Sequence, residues 1–248
     1  MNEQTLSKMK QMKLYGMHDA FTTAVETGAT DHFTLDQFVT HLIDSESDDR
    51  HNRKIVRNIK NAHFKYKAEI ENVEYDSQRN LEENLVKRLA ECEFVKRSEN
   101  LLITGSTGVG KSYLSTALGY QACIEGYRAV YFKANRLFAK LKMAKADGSY
   151  LKELVKIERQ HLLIIDDFGL HPMDNQARLT FLEIIEDRYQ KGATIINSQI
   201  PVQSWYEVIG DKTIADAIMD RLVHQSKRIE LEGESMRKKM PEKTENIY

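Results

Sequence analysis

The chain of 248 residues has little of what breaks, staples or anchors a fold. It has only three prolines, which suits a helix-rich protein. Its two cysteines, Cys92 and Cys123, stand in no C-x-x-C or Cys/His spacing. They therefore encode neither a disulfide framework nor a zinc site, and they fit a reducing compartment. No apolar run exceeds four residues (Ala129 to Phe132, Leu162 to Ile165), whereas a membrane-spanning helix needs about 20. The first twenty residues carry lysines and polar groups without the apolar centre of a secretory signal, so the expectation is a cytoplasmic protein. With 41% apolar and 29% charged residues the chain reads as folded and globular. Its length admits one or two domains with a full buried core.

A net charge of −1 conceals strong local polarity. Residues 1 to about 95 contain no strand-like run. Met17, Ala20, Phe21, Ala24 and Val25 recur at helical spacing, and Gly28 closes that pattern. Thr34 and Gln37 have the form of a capping box. The apolar face Leu35, Phe38, Val39, Leu42 and Ile43 follows, and the acidic stretch Asp44 to Asp49 is expected to end that helix. From Arg50 to Ala68 there are seven Lys or Arg and no acid. Ile55, Ile59, Ala62 and Tyr66 form an apolar stripe, with Arg53, Arg57 and Lys60 on another face. This segment is either a solvated face, paired with the acids that follow it, or a phosphate-binding helix for nucleic acid.

From about residue 98 short apolar runs alternate with helical stretches. Asn100 to Thr104 reads as a buried strand and leads into Gly105, Ser106, Thr107, Gly108, Val109, Gly110, Lys111 and Ser112, the full G-x-x-x-x-G-K-[ST] phosphate loop, with a helix after it. Glycines let the backbone turn and bring amides onto phosphates, and the helix aims its positive end at the same anion. Lys111 supplies a cation for the β- and γ-phosphates of ATP, and Ser112 a hydroxyl for Mg²⁺. Further strands are read at Ala129 to Phe132, Leu162 to Ile165 and Thr194 to Ile196. The third strand of the series ends in Asp166 and Asp167. Asp166 is expected to orient the metal and Asp167 to act as general base toward water. A helix capped by Asp174, with Leu179, Leu182 and Tyr189 on its buried side, is expected to stop at Gly192. Lys133 to Ala146 reads as an amphipathic helix with Leu137, Phe138, Leu141 and Ala144 inward and Arg136, Lys140 and Lys142 off that side; a solvated face is the other reading.

The phosphate loop, the Leu-Leu-Ile-Ile-Asp-Asp-Phe-Gly run, Ile196 to Pro201 and Trp205 resemble the IstB/DnaC branch of AAA+ ATPases. The stretches Ile214 to His224 and Gly233 to Arg237 look specifically like IstB, the transposition helper ATPase, and residues 1–75 look like that family's helical N-terminal domain. The resemblance implies an α/β fold: an AAA+ P-loop core with a central parallel sheet over residues 76–248, behind a small all-helical domain. It implies a γ-phosphate sensor at Gln199, with Asn197 or Ser198 as alternatives. It makes Arg221 an arginine finger acting on a neighbouring subunit, and Arg237 a second sensor or an ordinary basic tail. The basic helix at 133–146 would face nucleic acid. The implied partners are duplex DNA, a cognate transposase and further copies of the chain, with ATP sites at subunit interfaces. The nearest alternative function is a DnaC-type helicase loader; a monomeric metabolite kinase is more distant.

Overall fold

A computed structural model describes residues 2–29, 33–75, 79–224 and 226–236. The chain divides into two compact units, Met1–Arg57 and Asn58–Tyr248. The division falls inside a helix. The resemblance implies a boundary after residue 75, whereas Ala62, Ala68 and Val73 lie in the core of the second unit.

The first unit is helical. It holds α1 (Asn2–Gln11), α2 (Tyr15–Thr27) and most of α3 (Leu35–Ala62). Gly28 ends α2 at φ +68°. Thr34 and Gln37 make the reciprocal capping box, with the Thr34 N–H donating to Gln37 Oε1 at 2.9 Å and the Gln37 N–H to Thr34 Oγ1 at 3.3 Å. The acidic stretch does not end the helix as its sequence suggests. It contains neither Gly nor Pro, and its carboxylates pair one turn on, Glu46 with Arg50 and Asp49 with Arg53, so α3 runs through it. Glu46 also reaches α2: its Oε2 accepts from the Gly16 N–H at 2.9 Å and the Met17 N–H at 3.3 Å. A negative group at those unsatisfied first-turn amides stabilises the helix start. Gly16 is required there, because a Cβ would lie 2.3 Å from the Ser45 carbonyl. Of the expected apolar face on α3, Leu42 is buried, whereas Leu35, Val39 and Ile43 are exposed.

The second unit begins with the last turn of α3 and a short 3-10 turn (Ile70–Asn72), followed by α4 (Glu83–Ala90) and α5 (Glu93–Lys96). Five parallel strands follow: β1 (Asn100–Gly105), β2 (Ala129–Lys133), β3 (Leu162–Phe168), β4 (Ala193–Ser198) and β5 (Ser226–Leu231), in the order β2-β3-β4-β1-β5. The polar-tipped β4 thus lies between the strand before the phosphate loop and the strand that carries the carboxylates, as the resemblance implied. Alternation along each strand divides the core into two layers. Leu101, Ile103, Ile164 and Ile195 face α6 (Lys111–Ile124) and the helices before β1. Leu102, Leu163, Ile165 and Ile196 face α7 (Ala134–Ala146), α8 (Tyr150–Glu158), α9 (Asn175–Arg188), α10 (Trp205–Ile209) and α11 (Lys212–Val223). Helices on both faces of a parallel sheet leave the crevice at the C-terminal strand ends for ligand.

Two details correct the sequence reading of α9. Asp174 caps it, accepting from the Ala177 N–H at 2.7 Å. Its buried side is Phe181, Ile184, Ile185 and Arg188, with Leu182 half-buried against the same core as expected, while Leu179 and Tyr189 are exposed. Gly192 is not the stop either. The left-handed residue is Gln190 at φ +59°, and Gly192 makes room for the Arg188 guanidinium, 2.9 Å from a Cβ placed there.

Candidate nucleotide site

The site is assembled at the C-terminal ends of β1, β3 and β4. The loop Gly105 to Ser112 turns through three glycines with positive φ: Gly105 at +140°, Gly108 at +90° and Gly110 at +97°. Each is also a close approach. A Cβ at Gly105 would lie 2.1 Å from the Leu231 carbonyl, at Gly108 2.1 Å from Ser235 Oγ, and at Gly110 2.5 Å from an Arg79 guanidinium nitrogen. No side chain caps α6 at Gly110, which leaves the first amides of that helix to an anion. Lys111 folds over the loop and donates to the carbonyls of Gly105 at 2.6 Å and Ser106 at 2.7 Å. Val109 is buried beneath.

Asp166 is 3% exposed and accepts three hydrogen bonds, from Ser112 Oγ at 3.0 Å, Asn197 Nδ2 at 2.9 Å and Tyr131 Oη at 2.5 Å. Burial first, and the Asp166 charge second, push the Tyr131 hydroxyl far above its ordinary value, so it remains a donor. Asp167 stands beside it at φ +58°, where the register of β3 against β4 shifts between Ile165 and Phe168. This bulge turns Asp167 out of the ladder, and its Oδ2 meets Lys133 Nζ at 2.6 Å.

The three sensor candidates on β4 and beyond have different surroundings. Asn197 is fully buried and donates to Asp166 and to Ser115 Oγ, the latter at 2.7 Å; its Oδ1 is a buried acceptor without a hydrogen-bond partner. Ser198 Oγ donates to the Phe168 carbonyl. Gln199 Oε1 accepts from Thr107 Oγ1 at 2.7 Å and so touches the phosphate loop itself.

Arg221 lies elsewhere. Its guanidinium pairs with Glu186 at 2.9 Å and donates to the Ala217 carbonyl at 2.8 Å. Its own carbonyl is held by Asn100, the first residue of β1. The phosphate loop leaves the other end of that strand, about 17 Å away for five steps of a parallel strand. Arg237 lies outside the described residues.

The basic candidates also separate. Arg53 is engaged, at 2.7 Å from Asp49, 3.6 Å from Glu46 and over the Tyr15 ring at 5.0 Å. Lys140 pairs with Glu153 at 2.6 Å and Lys142 with Asp174 at 3.7 Å. Arg57, Lys60 and Arg136 are exposed and form no ion pair with the described residues. The inward side of α7 is as expected, with Leu137, Leu141 and Ala144 buried.

Three residues of the site escaped the sequence reading. Tyr131 and Lys133 stand two residues apart on one face of β2 and present one donor to each carboxylate; the two-residue period of the strand was the available signal. Arg79, buried, donates to the Val109 carbonyl at 2.7 Å and to the Glu74 carbonyl. It reaches the loop through the chain's tertiary path, which no local pattern encodes.

Residues 7–244 match the family described as IstB-like ATP binding protein. The chain belongs to that family. The insertion sequence ATP-binding protein y4pL of Sinorhizobium fredii is 40% identical over 97% of this chain and 98% of its own length. The ATP-binding protein of insertion sequence IS21 from Pseudomonas aeruginosa is 30% identical over 93% and 87%. Among solved structures, the DnaC helicase loader superposes with a TM-score of 0.56 at 19% identity, over 66% of this chain and 97% of that one, a likeness of fold. This IstB-like chain is thus an ATP-binding protein of AAA+ type. No helix among its described residues is long and apolar enough to cross a membrane.

Proposed function

We propose that this protein is the ATP-dependent helper of a transposase. It would bind duplex DNA, assemble on it as a homo-oligomer and let go after ATP hydrolysis. The observation that carries the reading is the position of Arg221. A finger at the opposite end of β1 from its own phosphate loop serves a nucleotide only on another subunit, so ATP hydrolysis requires assembly.

Within each site the chain's residues have separable tasks. The loop amides and Lys111 bind the phosphates. Ser112 and Asp166 form an all-oxygen pair that suits Mg²⁺, and no cluster of three acidic, His or Cys side chains stands among the described residues to hold an ion by itself. That fits a metal shared with substrate phosphates. Bound there, Mg²⁺ would neutralise charge on the β- and γ-oxygens. Asp167 would accept the proton of the attacking water, and Gln199, joined to Thr107, or Asn197, joined to Asp166, would sense the γ-phosphate. Arg57, Lys60 and Arg136 are the exposed cations for DNA phosphates.

The test is the ATPase rate against protein concentration, with and without duplex DNA. The helper reading expects turnover per subunit to rise with concentration and with duplex. A rate per subunit independent of both would indicate a self-sufficient monomer. Stimulation only by single strands together with a helicase would favour a loader.

A further inference from the structure

We infer that Glu186 is the positioning residue for Arg221 and holds its guanidinium ready for the nucleotide of a neighbouring subunit. The inference rests on reading Arg221 as the arginine finger. Arg221 Nη2 lies 2.9 Å from Glu186 Oε1, and Nη1 donates to the Ala217 carbonyl at 2.8 Å. An arginine side chain is long and rotamer-rich, and a finger left free must give up that freedom to reach the transition state. Two holds, one from α9 and one from α11 itself, remove much of it beforehand. Nε has no partner among the described residues, and the Arg221 side chain is 29% exposed, so donors remain for an incoming phosphate.

The frame beneath this pair is firmly fixed. Glu186 stands in the last turn of α9, two residues before the buried Arg188. Arg188 donates to the carbonyls of Ile157 and Gln160 at 2.8 Å and of Ala193 at 2.6 Å, and to Thr194 Oγ1 at 3.3 Å. Arg221 stands in the last turn of α11, where Asn100 Nδ2 donates to the carbonyls of Arg221 and Leu222 at 3.3 Å. Asn100 Oδ1 in turn accepts from the Thr194 N–H at 3.1 Å. Thr194 on β4 thus ties the ends of both helices together and keeps the acid and the finger in register.

A role in stability does not account for the pair. The Glu186 side chain is 46% exposed, and ion pairs so open to water contribute little to folding. The residue that fastens this end of α9 is Arg188, which is buried and spends its donors on backbone carbonyls. A solvated carboxylate also leaves the Arg221 charge in place and only weakly screened from a new anion, so the guanidinium is aimed without being neutralised.

The experiment measures MgATP turnover of the full chain for wild type, Arg221→Ala, Glu186→Ala and Glu186→Gln, at protein concentrations where the wild-type rate per subunit has levelled off. Glu186→Ala should lower the maximal rate on the order of ten- to a hundredfold, less than Arg221→Ala does. Its half-saturating MgATP concentration and melting temperature should stay near wild type. Glu186→Gln keeps an acceptor oxygen and should lose less. Mixing then locates the defect. Glu186→Ala with Lys111→Ala should recover activity, because the Lys111→Ala subunit brings a well-held finger to an intact pocket. Glu186→Ala with Arg221→Ala should stay at or below the rate of Glu186→Ala alone, because neither subunit brings a held finger. Recovery in that second mixture would assign Glu186 to its own subunit's pocket and overturn the inference. A maximal rate unchanged or raised in Glu186→Ala, while Arg221→Ala collapses, overturns it too. Should Glu186→Ala fail to fold, Glu186→Gln takes its place in both mixtures, with the same outcomes on a smaller scale. A fully active Arg221→Ala would instead end the finger reading itself.

Discussion

Tyr131 Oη donates to Asp166 Oδ2 across 2.5 Å, from a strand whose pairing places Lys133, not Tyr131, directly opposite Asp166. The hydroxyl thus reaches two residues along β3 to fix one carboxylate oxygen, while Ser112 and Asn197 fix the other. Both oxygens of Asp166 are therefore fixed by donors of the protein itself.

The consequence is a test on Tyr131→Phe. Loss of a hydrogen bond to a charged acceptor removes about 1.5–3 kcal/mol and leaves one oxygen of a buried carboxylate unsatisfied. The fold should hold, because the ring keeps its place in the core layer. The Mg²⁺ concentration for half-maximal turnover should rise, on the order of tenfold if most of that energy orients the ligand. Titration of turnover with Mg²⁺ at saturating ATP checks it; an unchanged midpoint would leave Tyr131 a packing residue.

The nucleotide half of the chain was legible because its chemistry is local in sequence. Gly105 to Ser112, Asp166 and Asp167 each sit at the end of an apolar strand, and the structure brings them within one crevice. The strand of Ser226–Leu231 was not legible: its side chains read Ser-Lys-Arg-Ile-Glu-Leu, with only Ile229 and Leu231 buried, as befits a sheet edge. The unbroken α3 was misread for a related reason. Its acids look like a helix end until their partners one turn later are counted. Arg79 belongs to the site through tertiary pairing alone, and no period in the sequence marks it.

Glu46 gives the helical unit a pH dependence. Burial acts to raise its carboxyl, but the bonds from Arg50 and from the Met17 and Gly16 N–H groups outweigh burial and hold it below the ordinary 4.5. A carboxylate lowered on folding contributes stability above its unfolded value and loses it as pH falls through the folded one. The helical unit should therefore weaken below about pH 4.5. Glu46→Gln should cost about 1–3 kcal/mol at neutral pH, as for a hydrogen-bonded buried charge, and progressively less in acid. Urea unfolding of the two proteins at pH 7 and pH 3.5 measures this; an equal difference at both would assign the effect to packing.

Arg221 offers a complementation test. Arg221→Ala should bind ATP nearly normally, since its guanidinium lies with Glu186 and far from its own loop. Turnover should collapse, because an arginine finger contributes on the order of 10³–10⁵ in rate. Lys111→Ala should lose tight ATP binding. Mixed, the two inactive proteins should recover part of the activity, one bringing an intact pocket and the other an intact finger. The mixing curve of ATPase activity reads this, and no recovery from proteins that fold and co-assemble would refute action between subunits.

The last test concerns which cations meet DNA. Arg53, Arg57 and Lys60 share a face of α3 in the sequence, yet they are not equivalent in the fold. Arg53 holds Asp49 and Glu46 and covers Tyr15, so Arg53→Gln removes an i,i+4 pair worth about 0.3–0.5 kcal/mol and disturbs the helical unit itself. Arg57 and Lys60 are exposed and form no ion pair with the described residues, so they are the cleaner probes. Each phosphate neutralised adds about −0.9 to the slope of log K against log salt on duplex DNA. Arg57→Gln with Lys60→Gln should then flatten the slope by about 1.8 and weaken binding alike on all sequences. ATP affinity should be untouched, because neither residue contacts the phosphate loop. Adding Arg53→Gln should lower stability more than it lowers the slope. A double variant with the wild-type slope would move the contacts to α7. There Arg136 is the exposed cation, while Lys140 and Lys142 would first have to leave Glu153 and Asp174.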